Sequence, residues 1–317
     1  MKEKMLGNTG IAVTGICYGA LPIGPIQANL PVEEAAEVIR YSLEQGINFI
    51  DTAQRYRTYP HIRRALLGYQ KPVVIASKGG ASGYDEMRQA VEEARQELDR
   101  DVIDIFHLHA ARASGAIFAE RAGALQYLCD ARAKGLIRAV GISSHSVDVV
   151  RAAAQQPEID VVFPLLNFLG LGILDGTTEE MREAIAQVEH SGKGIYLMKV
   201  MAGGHLVDRF EEALTYARAV SGVASIAIGM LNRNEVDANI ASMEDRPISA
   251  ELKASIGKHK KCLTILASGC VGCGACVETC TNFAIQVENG KARVDHSKCI
   301  MCGYCVPKCP QFALRLI

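Results

Sequence analysis

The sequence has no charge of either sign to spare. Its 34 Lys and Arg stand against 35 Asp and Glu, for a net charge of −1 over 317 residues. A nearly neutral chain lacks the basic surface that nucleic acid or an anionic membrane draws on, so neither is an expected partner. No apolar run approaches the ~20 residues of a membrane span. The opening MKEKMLGNTGIAVTG has no apolar core of a leader peptide. The expected compartment is therefore the reducing cytoplasm, where disulfides are rare. Also missing is a Gly-rich phosphate fingerprint: GICYGALPIG does not fit G-x-G-x-x-G, which argues against an open, doubly wound dinucleotide sheet. What remains is ordinary for a globular enzyme, 49% hydrophobic and 22% charged.

Cysteine is not scarce. Eight of the 11 cysteines fall in two runs near the end, CVGCGACVETC from Cys270 and CIMCGYCVPKCP from Cys299. Each reads C-x2-C-x2-C-x3-C, the bacterial pattern for [4Fe–4S] clusters, in which the fourth cysteine of each run serves the other cluster. Cys270, Cys273, Cys276 and Cys309 are thus the expected ligands of one cluster, and Cys299, Cys302, Cys305 and Cys280 of a second. Gly272, Gly274 and Gly303 supply tight bends. Pro310 follows the last ligand, while Thr281 stands where the first run would often carry proline. Zinc would favour two well-separated CxxC pairs, and a disulfide scaffold does not suit this compartment. Cys17, Cys129 and Cys262 read as unpaired packing residues.

Before residue 247, short apolar runs alternate with amphipathic ones. INFIDTA, PVVIASK, VIDIFHLHA, IRAVGISSH, IDVVFPLLN, GIYLMKVM and VASIAIGM read as strands, each followed by a helical stretch such as YDEMRQAVEEARQELDR. With IAVTGICYGA at the front this makes eight strand–helix units. Near-continuous apolar strands separated by helices mean a covered parallel sheet, and eight units in about 250 residues suit a (β/α)8 barrel. The expected layout is a TIM barrel over 1–246, a connecting helix in 247–266 and a small α+β ferredoxin-like domain over 267–317. ISAELKASIGKHKKCLTILASG reads as that one helix, with its basic GKHKK at 257–261 as a solvated face.

Chemistry in such a barrel sits where the strands end. Asp51, Lys78 and His109 close the second, third and fourth strands, and Tyr56 lies in the loop just after Asp51. Each alone has a plain structural explanation, as a helix cap or a surface aromatic. His107, two residues before His109, faces the same side and reads as a hydrogen-bonded core residue rather than half of a metal site.

Together, MLGNTGIAVTGICYGA, GINFIDTAQRY, VVIASKGG, VIDIFHLHA, IRAVGISSH and GIYLMKVMAGG resemble the aldo-keto reductase superfamily over the whole first domain, in order. The tail resembles a branch of it that carries a C-terminal ferredoxin-like domain. The resemblance implies a catalytic tetrad of Asp51, Tyr56, Lys78 and His109. In it Tyr56 gives a proton to the carbonyl oxygen, the Lys78 ammonium lowers the tyrosine pKa, Asp51 holds Lys78, and His109 orients the carbonyl. It implies NADPH or NADH as cofactor, with Ser143, Ser144 and Asn167 toward the carboxamide and Gly229, Asn232, Arg233 and Asn239 toward the phosphates and adenine. That pocket departs from the family. Ser144 stands where Asn is usual, and FPLLNF puts Phe163 and Leu166 where the family often has Gln and a stacking aromatic.

The implied function is an iron–sulfur oxidoreductase that interconverts a small carbonyl and its alcohol, with electrons from NAD(P)H, a ferredoxin or a redox subunit. Two other classes stay open: an electron-transfer subunit whose barrel is a docking platform, and a redox sensor with structural clusters. From Cys262 onward five Lys/Arg (Lys291, Arg293, Lys298, Lys308, Arg315) face three Asp/Glu (Glu278, Glu288, Asp295). Without an acidic excess for steering, the tail reads as a module wired to its own barrel.

Overall fold

A computed structural model of the chain describes residues 1–256 and 261–316. All of the basic GKHKK stretch except Lys261 therefore lies outside the described residues. The chain opens with an antiparallel hairpin, β1 (Glu3–Met5) and β2 (Ala12–Thr14). Leu6, Ile11 and Val13 from this hairpin are buried with Cys17, Phe49, Val161 and Tyr196, so the hairpin plugs the end at which the barrel strands begin. The expected single strand IAVTGICYGA is thus two, broken at Gly15. Thr14 turns the chain there, its N–H on Asn48 Oδ1 (2.8 Å) and its hydroxyl on the Ile16 carbonyl (2.8 Å).

Eight parallel strands then close into a barrel: β3 (Ile16–Gly19), β4 (Phe49–Asp51), β5 (Val74–Gly79), β6 (Ile103–Ala110), β7 (Ile137–Ser144), β8 (Val161–Pro164), β9 (Gly194–Leu197) and β10 (Val223–Ile228), which pairs back onto β3. The two-residue period of a strand decides what reaches the lumen. Phe49 and Asp51, Ala76 and Lys78, and Ile105, His107 and His109 therefore rise toward the rim in layers. The aromatic layer is tight, with the Phe163 and Tyr196 rings stacked at 3.8 Å and Phe49 at 4.9 Å from Tyr196. Helices such as Val32–Glu44, Tyr84–Leu98 and Thr178–His190 bury one face against the outside of the strands. Among the described residues no helix is long and apolar enough to cross a membrane.

After the last barrel helix, Arg233–Met243, the chain forms a short helix, Ala250–Ser255, and then β11 (Leu263–Ile265). The expected single connecting helix is therefore overturned. Leu263, Thr264 and Ile265 pair with β14 (Leu314–Leu316) as an antiparallel ladder, and this tertiary pairing overrides a weak helical pattern. Between them lie the helix Ala275–Thr279 and the hairpin of β12 (Ile285–Glu288) and β13 (Lys291–Val294). The small domain sits on the rim where the barrel strands end. His205 Nε2 donates to the Cys299 carbonyl (2.8 Å), Gln27 Nε2 reaches the carbonyls of Met301 and Cys302 (3.4 Å each), and the Arg112 guanidinium lies 4.0 Å from the Phe283 ring centroid.

Candidate active site and cysteine centres

At the rim, the buried Lys78 ammonium donates to both carboxylate oxygens of Asp51 (2.6 and 2.8 Å) and to the Thr52 carbonyl (2.6 Å). An ammonium has three N–H groups, and all three are committed. Burial pushes the Asp51 carboxyl up and the Lys78 ammonium down, and the ion pair between them opposes both shifts. Asp51 Oδ2 also accepts from the Tyr196 hydroxyl (2.9 Å), which leaves His107 Nε2–H to donate to Tyr196 (2.7 Å). His107 thus braces the layer below the rim.

The Tyr56 ring stands edge-on to the His109 ring, with centroids 6.2 Å apart, and 4.9 Å from Lys78 Nζ. The structure thus brings Asp51, Tyr56, Lys78 and His109 into one cluster. One expectation changes: the Lys78 charge, 4.9 Å from the Tyr56 ring, does not set the phenol's net shift. Burial is the main cause that pushes the phenol well above its usual value, and Tyr304 and the Asp51 charge add to the shift. Tyr56 therefore stays protonated, a donor held ready. Burial, followed by the charges of Lys78 and Arg55, holds His109 well below the usual range, so its ring is neutral.

Tyr304 is the residue the sequence did not single out. It lies between Cys302 and Cys305, yet it reaches into the barrel's site. Its ring stands 6.4 Å from His109 and 5.0 Å from the Arg55 guanidinium. Leu21, Ile26, Ala53, Tyr56 and Tyr304 form one buried group with Cys302 packed against it. A tyrosine inside a ligand loop of four spaced cysteines was the signal available.

The eight clustered cysteines wall two cavities in the small domain. One is lined by Cys270, Cys273, Cys276 and Cys309, the other by Cys280, Cys299, Cys302 and Cys305. Three thiols of one run and the last of the other meet at each. Backbone N–H groups point at the sulfurs: Ala292 to Cys270 (3.2 Å), Ala284 to Cys280 (3.3 Å) and Ala313 to Cys309 (3.2 Å). Such donors suit cluster thiolates. All 11 cysteines are free of disulfides. Among the described residues no three side chains converge tightly enough to share one metal ion. Four thiols around each cavity are the donor set that a [4Fe–4S] cluster takes. Gly272, Gly274 and Gly303 take φ of 67°, 81° and 81°, the left-handed bends these loops need.

Beside Tyr56 opens the main cavity of the rim, bordered by Asp51, Phe163, Lys199, Lys261 and Met301. Of the seven residues expected around a nicotinamide cofactor, Gly229 and Asn239 line it. The others are engaged elsewhere. Ser143 and Ser144 direct their hydroxyls to the carbonyls of Leu108 (3.4 Å) and Ala110 (2.8 Å). The Asn167 amide binds the backbone of Leu171 and Lys199. Asn232 caps its helix through Glu235 N–H (3.0 Å), and the Arg233 guanidinium lies 5.1 Å from the Tyr41 ring centroid. Two cations also border the cavity: Lys199, which the sequence did not single out, and Lys261, the last residue of the basic stretch read as a solvated face. Lys199, held at φ 59°, stands within electrostatic reach of Cys302 and Cys299. Burial, with the Lys199 charge adding, lowers Lys261 to about 8, and its ammonium bonds the Gln27 side chain.

The seam between the parts is moulded at Gly203. A Cβ there would lie 2.1 Å from the Ile300 carbonyl oxygen, and its φ is +73°. Gly203→Ala is expected to loosen the small domain, at about 2 kcal/mol or more for backbone strain and clash. Gly80→Ala, which meets nothing within 4 Å, is the control, expected within ~0.5 kcal/mol of the parent. Urea unfolding and tryptic release of the tail measure both.

Known proteins match each part of the chain. A 4Fe-4S dicluster domain matches residues 262–310, and the aldo/keto reductase family matches 15–214. L-galactose dehydrogenase of Arabidopsis thaliana is 23% identical over 286 residues, 76% of this chain and 88% of that protein. The 6-dehydroglucose reductase of Novosphingobium aromaticivorans is 29% identical over 184 residues, 49% of this chain and 59% of its own. A putative aldo-keto reductase of Pseudomonas aeruginosa superposes with a TM-score of 0.64 at 25% identity, covering 77% of this chain and 94% of that one. With a closed barrel, its rim residues and a cysteine-rich domain docked above them, this chain is an oxidoreductase that belongs to the aldo/keto reductase family and carries a 4Fe-4S dicluster domain at its C-terminal end.

Proposed function

We propose that the protein interconverts a small carbonyl and its alcohol at the rim around Tyr56, in exchange with two [4Fe–4S] clusters held above it. One observation carries this reading: Tyr304, from the loop between Cys302 and Cys305, is buried in one group with Tyr56 and stands edge-on to His109. A tail that only stabilised the chain or carried electrons to other proteins would have no need to reach the proton donor.

Cys270, Cys273, Cys276 and Cys309 would hold one cluster, and Cys299, Cys302, Cys305 and Cys280 the other. When bound, the clusters supply electrons singly, and two of them match the two-electron demand of a carbonyl. The chain supplies the rest. Carbonyl reduction takes up two protons with the two electrons. Tyr56 gives the one at oxygen, and the other comes from solvent. Neutral His109 donates a hydrogen bond that orients the carbonyl. Asp51 and Lys78 set a fixed charge pair beneath.

The reductant that fills the clusters is NADPH, NADH or a ferredoxin-type partner. The cavity suits a dinucleotide at its phosphate end, where Lys199, Lys261, Asn239 and Gly229 line it. The carboxamide end lacks free donors, since Ser143, Ser144 and Asn167 are committed to backbone. Anaerobic titration with each nucleotide, following cluster absorbance, tests this part. Bleaching by either supports nicotinamide as the source. Bleaching only by a reduced ferredoxin removes the nucleotide. Iron analysis of the same sample should give about eight iron and eight sulfide per chain; about four of each would remove the second cluster.

A further inference from the structure

We infer that the outer half of the small domain, around Phe312, is the docking face of a small acidic one-electron carrier protein. This rests on the reading of the domain as the electron supply of the rim, and it names where those electrons enter. The domain is built on an internal repeat. CVGCGACVETCTNFAI, from Cys270, and CIMCGYCVPKCPQFAL, from Cys299, align without a gap. The structure repeats with them. The Ala284 and Ala313 N–H groups reach the Cys280 and Cys309 sulfurs (3.3 and 3.2 Å), and Phe283 and Phe312 both turn left-handed, at φ 53° and 49°. Such a φ is an outlier for a bulky side chain, so one unusual bend presents a phenylalanine from each half.

The barrel covers one half only. Ile300 is 2% exposed and packs on Gly172 and Gly203, and the Arg112 guanidinium lies 4.0 Å from the Phe283 ring centroid. In the outer half the matching residues are open: Val271 is 63% exposed and Phe312 73%. Leu266, also exposed, joins them, because its N–H donates to the Ala313 carbonyl (2.8 Å) and its carbonyl accepts from the Cys270 N–H (3.1 Å). Cys273, the counterpart of Cys302, is the exposed thiol of its set.

Charge selects the occupant. Glu288 and Asp295 pair with Arg293 and Lys298. Among the described residues Lys291, Lys308 and Arg315 make no ion pair, and Glu278 is the one acid of the domain left against them. Arg315 bonds the Phe312 carbonyl and Lys291 the Cys270 carbonyl (2.6 Å), so two of these cations flank the apolar patch. Cations around an apolar centre attract an acidic partner and fix its orientation. Three exposed apolar side chains are too few for an obligate dimer, which buries ~2,000 Å² or more, but they suit an electron-transfer encounter, which buries less than ~1,200 Å². On docking, the reduced carrier gives one electron to the outer cysteine-bound centre and leaves oxidised, and no proton moves. Two such encounters supply the two electrons of a carbonyl.

The test is binding of two probes, an acidic plant-type [2Fe–2S] ferredoxin and an acidic flavodoxin, to the full, anaerobically prepared protein. It compares the parent with Phe312→Asn, Arg315→Glu and, as control, Leu67→Asn, an exposed apolar residue of the barrel. Asparagine tolerates the left-handed bend at position 312, and iron analysis checks that the domain is intact. The parent is expected to bind at least one probe saturably at low salt. Both patch variants bind it about tenfold more weakly, the Arg315→Glu loss shrinks in about 0.5 M salt as charges are screened, and Leu67→Asn binds like the parent. A parent that binds neither probe overturns the docking face. So does binding that ignores both substitutions. A parent that sediments as a dimer, with Phe312→Asn a monomer, also overturns it, because the patch would then seat a second copy. None of these readouts needs turnover, so failure of the docking face and failure of the carbonyl reading are seen separately. Reduced chemically with dithionite, Phe312→Asn should release acetoin from 2,3-butanedione as the parent does; a loss confined to the variant there overturns a role limited to docking.

Discussion

Carbonyl reduction by the Tyr56→Phe variant should fall by about 10²–10⁴-fold, the usual cost of losing one acid–base group. The substitution keeps the ring that packs against His109, Leu21 and Ala53 and removes only the hydroxyl. Folding and cluster content should therefore be unchanged, and iron analysis of the variant checks that. No other hydroxyl of the barrel is placed to substitute. Tyr196 donates to Asp51 one layer down, and Ser143 and Ser144 are committed to backbone carbonyls. The assay is reduction of 2,3-butanedione by the anaerobic protein with an excess of its electron source. A variant that reduces the diketone at the parent's rate removes Tyr56 from the chemistry.

The second large effect is on stability. Asp51→Ala leaves the Lys78 ammonium, 1% exposed, with the Thr52 carbonyl as its remaining partner among those found. Breaking a buried pair on one side costs about 3–5 kcal/mol, because the charge that remains is uncompensated. Tyr196 loses its acceptor at the same time, and the His107–Tyr196 link below it loosens. The double variant Asp51→Ala/Lys78→Met should recover part of the loss, since removing both charges is often neutral. Urea unfolding of parent, single and double variants measures this. A single variant as stable as the parent would mean that the pair is solvated and that the rim is more open than its geometry.

How much of this was legible in the sequence follows from which signals are local. The eight barrel strands were, because buried parallel strands write themselves as short apolar runs. So was the gathering of Asp51, Lys78 and His109, since strand ends on one side of a barrel must converge. The grouping of the cysteines was legible too, as three thiols of one run and the last of the other line each cavity. What failed depends on contacts between distant segments. Leu263–Ile265 looks helical until Leu314–Leu316 lies beside it. The upward shift of the Tyr56 phenol comes first from its burial, which no spacing records. Ser144 and Asn167 look like cofactor ligands until the backbone claims them. Tyr304 carried a weak signal, an aromatic inside a ligand loop. Its meaning depends on docking between the domains, which no spacing records.

The most direct test of the central claim removes the nucleotide. Protein reduced anaerobically, freed of excess reductant and mixed with 2,3-butanedione should reoxidise its clusters and release about one acetoin per chain, two electrons from two one-electron centres. The Tyr56→Phe variant should do neither at a comparable rate. Clusters that stay reduced in the parent, with no acetoin formed until NADPH or NADH is added, would contradict electron flow from the cysteine domain to the rim.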